Sequence, residues 1–203
     1  MGYTEIIMQK IGIVGVHGSG KTSLAYILSA YFKMKGVNAK LIHESVRENC
    51  PFPINADANQ GTCLWNFHKQ FLNELEAEAQ GYDLAICDRS VLDTFVYFHA
   101  VNPKNEITTS AELQASQWLT TYDLIIVLEP SAEQAEIQGD GIRETNRDYQ
   151  KLIADGFRTA LRTYGGAILD KIAFRSSDDV FKPSQREELI RLVEDCLSVA
   201  TVE

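Results

Sequence analysis

The sequence predicts a three-layer α/β/α domain whose centre is a five-stranded parallel sheet. Three observations carry that expectation: short apolar runs recur along the chain, segments of helical period separate them, and the length suits one globular unit. The runs are Ile11–Val16, Lys40–His43, Leu84–Cys87, Leu124–Leu128 and Ala167–Leu169. Their Ile, Val and Leu content fits strands covered on both faces, the second run being the weakest. Between them Leu64, Phe67, Phe71 and Leu75 keep helical spacing, as do Tyr149, Ile153, Phe157 and Leu161. Leu189, Val193, Cys196 and Leu197 repeat the pattern near the end. Strands that alternate with helices imply right-handed crossovers and helices on both faces of the sheet. Two capping boxes, Thr109-x-x-Glu112 and Ser184-x-x-Glu187, mark expected helix starts.

The 203 residues match a single domain, so 1–203 reads as one unit with a lid at about 130–147. With 45% hydrophobic and 23% charged residues, the composition excludes wholesale disorder. The net charge of −9 argues against a chain that grips nucleic acid or an anionic membrane. Cys50, Cys63, Cys87 and Cys196 show neither a disulfide framework nor zinc-ligand spacing. The opening lacks a signal peptide's apolar stretch, and no run approaches the ~18 residues of a membrane span. These features read as a reduced, cytoplasmic, soluble protein.

Chemistry enters directly after the first run, at Gly15-Val16-His17-Gly18-Ser19-Gly20-Lys21-Thr22, followed by Ser23 and a helical segment. This string fits G-x-x-x-x-G-K-[ST] between a strand and a helix, which is the P-loop or Walker A context. Its glycines let backbone N–H groups close on phosphate oxygens, which a helix N-terminus also favours. Lys21 is then the point charge on the β- and γ-phosphates, and the Thr22 hydroxyl is a Mg²⁺ ligand. Chance produces such a match in a chain of this length on the order of one time in a hundred. ATP and Mg²⁺ are therefore the expected cofactors. Gly15, His17, Gly18, Ser19, Gly20, Lys21, Thr22 and Ser23 form the nucleotide cradle, His17 through its backbone.

Several nucleotide-hydrolysing classes lack support. Neither the base-reading Asn/Thr-Lys-x-Asp nor the D-x-x-G switch of GTPases occurs. The Leu-Ser-Gly-Gly-Gln signature of ABC ATPases is absent, and no strand ends in the Asp-Glu pair usual in AAA+ motors. Other strand ends carry acids and arginines instead: His43-Glu44-Ser45, Asp88-Arg89-Ser90, and later Asp140-Gly141-Ile142-Arg143 with Arg147. Phosphoryl transfer needs metal, positive charge around the moving group, and a carboxylate to orient the acceptor. Lys21, Glu44, Asp88, Arg89 and Arg143 are the candidate catalytic residues, and Thr22 with Asp88 the candidate metal ligands. Arg147 reads as a helix-surface charge. The aromatics Trp65, Phe67, Phe71 and Phe95 read mainly as core, and His43, His68 and His99 as scattered histidines. The segment from Glu48 to Gln60 reads as a mobile rim of an acceptor pocket, and Arg175–Asp178 as lying near the adenine.

Taken with the P-loop, these strings resemble the P-loop nucleoside and nucleotide kinases. Asp88-Arg89-Ser90 and its aromatic helix look like the Asp/Glu-Arg-Ser element of deoxynucleoside kinases and the Asp-Arg element of thymidylate kinases. The Asp-Gly-Ile-Arg segment after Asp-Leu-Ile-Ile-Val-Leu-Glu resembles the AAA-type kinase domain of bacterial nicotinamide-riboside kinases. That resemblance implies that Glu44 serves as base, Asp88 supports Mg²⁺, and the lid arginines close over the phosphates. It also makes a homodimer an expectation, since dimers are common among such kinases. The implied activity is ATP- and Mg²⁺-dependent phosphotransfer to a nucleoside, a nucleotide or a similar small acceptor. The competing reading is a nucleotide-dependent regulatory module whose ATP state is read by a protein partner. A second cavity lined by Glu44, Arg89 and aromatics separates the two, because only a kinase needs it.

Overall fold

The computed structural model describes residues 8–44, 50–54, 57–130, 147–164, 166 and 168–200, with the side chains of 147 and 198–200 outside that description. Its strands are β1 (Gln9–Gly15), β2 (Ala39–Ile42), β3 (Leu84–Asp88), β4 (Leu124–Glu129) and β5 (Ile172–Ser176). Its helices are α1 (Lys21–Met34), α2 (Gln60–Ala79), α3 (Val91–Val101), α4 (Glu106–Trp118), α5 (Arg147–Tyr164), α6 (Asp178–Phe181) and α7 (Pro183–Ala200). The strands form one parallel sheet in the order β2-β3-β1-β4-β5. From β1 the chain goes out to the edge strand β2, returns to β3 between β2 and β1, then crosses past β1 to β4. The crevice at the carboxyl end of β1 is therefore the topological switch point, where such sheets hold ligands.

Period-two burial on both faces explains why the central strands read as continuous apolar runs. Ile11, Ile13, Leu84, Ile86, Leu124 and Ile126 pack with Leu24, Leu28 and Phe32 of α1 and with Leu189 and Val193 of α7. The alternate residues Ala85, Cys87, Ile125 and Val127 pack with Phe67 of α2, Phe95 of α3 and Phe157 of α5. Burying one such side chain contributes roughly 1.5–3 kcal/mol, so two cores of this size fix the sheet between its layers. At the amino end of β1 the buried Glu74 accepts hydrogen bonds from Trp118 Nε1 at 2.6 Å, Gln70 Nε2 at 2.8 Å and the Tyr122 hydroxyl. Lys10 Nζ completes that cluster at 3.4 Å. One carboxylate thus ties α2, β1 and the end of α4 together on the side opposite the P-loop.

Three expectations need correction. The fifth strand is Ile172–Ser176, not Ala167–Leu169; Leu169–Lys171 forms a 3-10 turn before it. An edge strand need not be apolar on both faces, and β5 is half-exposed throughout, with Arg175 inside it. The Thr109-x-x-Glu112 box starts no helix. α4 begins earlier, where Asn105 Oδ1 accepts from Thr108 N at 3.0 Å and Thr108 Oγ1 accepts from Asn105 N at 3.2 Å. Asn caps as well as Ser or Thr, because its side-chain oxygen reaches the same free N–H groups. α7 opens at Pro183, which suits the first helical position, so Ser184 lies inside the helix and is not the cap that the Ser184-x-x-Glu187 box implied. Among the described residues no helix is long and apolar enough to cross a membrane. All four cysteines are free thiols.

Candidate active site

The loop between β1 and α1 is shaped by its glycines. Gly15 has φ 141°, and a Cβ there would lie 2.3 Å from the Leu128 carbonyl oxygen of the neighbouring strand. Gly20, at φ 83°, caps α1, and a Cβ would press on the Phe181 ring at 3.1 Å. Inside the turn, Val16 O accepts from Ser19 Oγ at 2.9 Å and from Lys21 Nζ at 2.6 Å. Burial, then the neighbouring Arg89 charge, lower the Lys21 pKa to about 8. Gly18, Gly20, Lys21, Thr22, Ser23, Glu44 and Phe181 line a cup over this turn.

β3 runs beside β1 with Asp88 opposite Ile13, which delivers Asp88 and Arg89 to the mouth of the crevice. Thr22 Oγ1 donates to Asp88 Oδ2 at 2.7 Å. The other oxygen, Asp88 Oδ1, is buried and has no hydrogen-bond partner among the described residues. A hydroxyl and a carboxylate with a free oxygen beside a phosphate cup are hard oxygen donors of the kind Mg²⁺ takes together with substrate phosphates. Thr22 and Asp88 therefore fit the ion. No cluster of three or more protein ligands surrounds it among the described residues.

Arg89 turns away from the cup. Its backbone is left-handed, with φ 94°, uncommon for any side chain but glycine. Its N–H donates to Ile13 O at 3.0 Å, which holds the turn in register with β1. Nη2 meets Glu44 Oε1 at 2.7 Å, Nη1 lies 3.5 Å from Asp93 Oδ1, and the guanidinium sits 4.8 Å from the Tyr97 ring centroid. Burial opposes the Arg89 charge, but Glu44, Tyr97 and Asp93 outweigh it and hold its pKa well above the usual value. Asp93 is pushed the other way, up to about 6, by burial, although Arg89 and its Ser90 hydrogen bonds pull it down. Ser90 N and Oγ both donate to Asp93 Oδ2 at 2.9 Å, capping α3.

A second pocket opens around these groups. Its wall includes Glu44, Arg89, Asp93, Asn66, Tyr97 and Tyr149. Asn66 Oδ1 and Arg89 Nε are buried without hydrogen-bond partners among the described residues. Ile54 and Ala58 line it too, which places part of the Glu48–Gln60 segment on the rim as expected. The Thr62 hydroxyl donates to Pro53 O at 2.6 Å, and Asn102 Nδ2 to Ala58 O at 2.8 Å, anchoring that rim to α2 and α3. His17, expected to act through its backbone, also places its ring in this wall. The ring lies 4.7 Å from that of Tyr97 and 6.3 Å from that of Tyr149. The Tyr97 hydroxyl donates to Gly15 O at 3.2 Å, joining α3 to the base of the P-loop.

The structure thus gathers Lys21, Thr22, Glu44, Asp88 and Arg89 at one sheet edge. Glu44 lines both hollows. Arg143, Asp140 and nearly all of the segment 130–147 lie outside the described residues, and Arg147 enters only as the first residue of α5. Sequence reading missed Asn66, Asp93, Tyr97, Tyr149 and Phe181. A signal existed for two of them: Asp93 and Tyr97 stand four residues apart and so share one face of α3.

Residues 10–170 match the AAA_28 family, an AAA domain. The chain belongs to that family. No curated protein matches the AAA_28 chain. Solved structures do. A NadR protein in complex with NAD and AMP-PNP aligns at TM-score 0.65 and 17% identity, covering 95% of this chain and 50% of its own. Thymidylate kinase from Ehrlichia chaffeensis aligns at TM-score 0.59 and 14% identity, covering 92% of this chain and 98% of its own. Deoxyadenosine kinase from M. mycoides with bound dATP aligns at 0.61 and 15%, covering 92% and 100%. The AAA_28 chain spans about half the length of the NadR chains it matches. At these identities the likeness establishes the fold, that of the P-loop nucleoside and nucleotide kinases.

Proposed function

We propose that this AAA_28 chain is an ATP- and Mg²⁺-dependent phosphotransferase acting on a nucleoside, a nucleotide or a similar small metabolite. One observation carries the proposal: Glu44 stands in the wall shared by the P-loop cup and the second pocket. A carboxylate at that junction reaches both the terminal phosphate of a nucleotide in the cup and a hydroxyl or phosphate presented from the pocket. A switch read by a protein partner has no need of such a paired hollow, which favours the transferase over that alternative.

The roles follow from placement. The P-loop amides and Lys21 bind the triphosphate tail. Glu44 accepts the proton of an acceptor hydroxyl, a task worth roughly 10²–10⁴-fold in rate for a positioned base. Arg89 holds Glu44 at the junction and adds positive charge facing the acceptor. Thr22 and Asp88 would hold Mg²⁺, which supplies charge neutralisation at the phosphates. Asn66 Oδ1 and Arg89 Nε offer unmet hydrogen-bonding groups to a polar acceptor, while Tyr97, Tyr149 and His17 supply ring surface. Phe181 and the turn after β5 stand beside the cup, where the nucleotide's base would emerge.

The decisive experiment incubates the protein with γ-labelled ATP, Mg²⁺ and a panel of nucleosides, nucleotides and small hydroxy metabolites. Label transfer to at least one acceptor, lost in Glu44→Gln, is expected. Tight ATP binding without transfer to any acceptor, together with hydrolysis stimulated only by a protein, would replace the transferase by the regulatory module.

A further inference from the structure

The open side of the sheet carries a feature that neither hollow uses. β2 is an edge strand. Among the described residues its outer edge makes no inter-strand hydrogen bond, and Ala39 N donates locally to Val37 O at 2.8 Å. α1 and α2 rise on either side and leave a groove with β2 along its floor. Lys33 of α1, Lys40 of β2 and Lys69 of α2 all line this groove. Among the described residues none of the three has an ion-pair partner, whereas Glu76 is the one carboxylate in the wall.

Strand alternation sorts the charges. Ala39 and Leu41 pack on the α1 side and Ile42 on the α2 side. Lys40 therefore stands on the α2 side with Lys69, its ammonium 5.3 Å from the Tyr82 ring centroid, and Lys33 stands opposite. Edge-strand lysines often serve only to discourage pairing between sheets. Lys33 and Lys69, however, lie on helices of opposite layers, not on the strand.

We propose that this groove binds an extended acidic peptide segment of a protein partner, added as a strand to the free edge of β2. Main-chain hydrogen bonds to β2 hold the segment. Its alternate side chains fall on opposite sides, setting carboxylates against Lys40 and Lys69 on one side and Lys33 on the other. Because the whole chain carries −9, an acidic partner is repelled from most of the surface and steered to this patch. The site is independent of the phosphotransfer reading and shares no residue with it.

The test titrates the ¹⁵N-labelled full chain with the capped peptide Thr-Glu-Val-Glu-Val-Glu-Thr and follows amide shifts. Shifts centred on Ala39–Ile42 are expected. Binding weakens by roughly tenfold or more in Lys40→Glu/Lys69→Glu, and weakens again as salt is raised. The same peptide with Lys in place of Glu leaves the spectrum unchanged. Retained ATP-analogue binding shows that the double variant is folded. No shift at millimolar peptide leaves the lysines as edge guards and overturns the proposal. So does unchanged binding by the double variant. Equal shifts with inorganic phosphate alone would reassign the groove to small anions, and self-association abolished by the double variant would reassign it to a second copy of this chain.

Discussion

Replacing Arg89 tests the site at its most connected point. Its side chain is 9% exposed, and Glu44 and Asp93 lie at 2.7 and 3.5 Å. Removing one partner of a buried pair costs about 3–5 kcal/mol, because the remaining charge is left in a poor solvent. Glu44 keeps some contact with water, and Asp93 keeps both Ser90 hydrogen bonds, so Arg89→Met belongs at the low end, about 3 kcal/mol. The backbone adds a second effect. Methionine inherits the left-handed φ of 94°, whereas glycine adopts it without strain, and the difference is about 1 kcal/mol. Arg89→Gly is therefore the more stable variant, although it deletes more atoms. Adding Glu44→Gln to Arg89→Met recovers part of the loss, a coupling of about 0.5–3 kcal/mol for groups in contact. Asp93, whose folded pKa already lies above its unfolded value, makes Arg89→Met more stable as pH falls from neutrality toward 5. Urea unfolding followed by tryptophan fluorescence measures each quantity. A loss below about 1 kcal/mol for Arg89→Met, or equal losses for Met and Gly, would refute the assignment of Arg89 as a strained, buried hub.

Other outcomes are equally concrete. Glu44→Gln lowers kcat by about 10²–10⁴-fold and leaves ATP affinity within a few-fold, read by coupled assay and calorimetry; a parallel loss of ATP binding would move Glu44 out of the base role. The Lys21 pKa of about 8 means that the charge is lost as pH rises through that value, so ATP-analogue affinity declines between pH 8 and 9 and is level between 6 and 7. The same lowered value makes the ligand-free protein gain stability from this group as pH rises from 8 toward 10.5, because the unfolded chain there binds the extra proton. Asp88→Asn weakens Mg²⁺-dependent nucleotide binding by tenfold or more while metal-free binding changes little, measured by titration with and without chelator. Gly15→Ala drives a Cβ into the Leu128 carbonyl and costs about 3 kcal/mol or more, visible as a large drop in Tm.

The parts of the molecule that the sequence announced are those where one physical demand dominates. Strands β1, β3 and β4 are buried on both faces, so apolar runs located them. The P-loop was legible because its conformation admits few residue types. β5 was misplaced because an edge strand carrying Arg175 satisfies weaker constraints. The start of α4 was misread because Asn105 and Thr108 form the same reciprocal cap as a Ser/Thr-Glu box with different side chains. Within the site, Lys21, Thr22, Glu44, Asp88 and Arg89 follow from strand ends, since topology brings those ends to one edge. Asn66, Tyr149 and Phe181 could not be read in this way. They come from helices remote in the chain, and their meeting depends on packing that no local pattern encodes. His17 shows the limit from the other direction: its loop was identified, but the direction of its ring is set by Tyr97 and Tyr149.

The reversed backbone twist at Arg89 has a consequence for how substrate choice can change over time. Asp88 and Arg89 are adjacent, about 3.8 Å apart along the main chain, yet serve different compartments. On the phosphotransfer reading, the distance a phosphoryl group would cross is therefore set by a single peptide unit. On the same reading, substitutions at lining residues such as Asn66 or Tyr149 would change the acceptor taken, while the travel distance would stay anchored to the covalent geometry of the sheet's end.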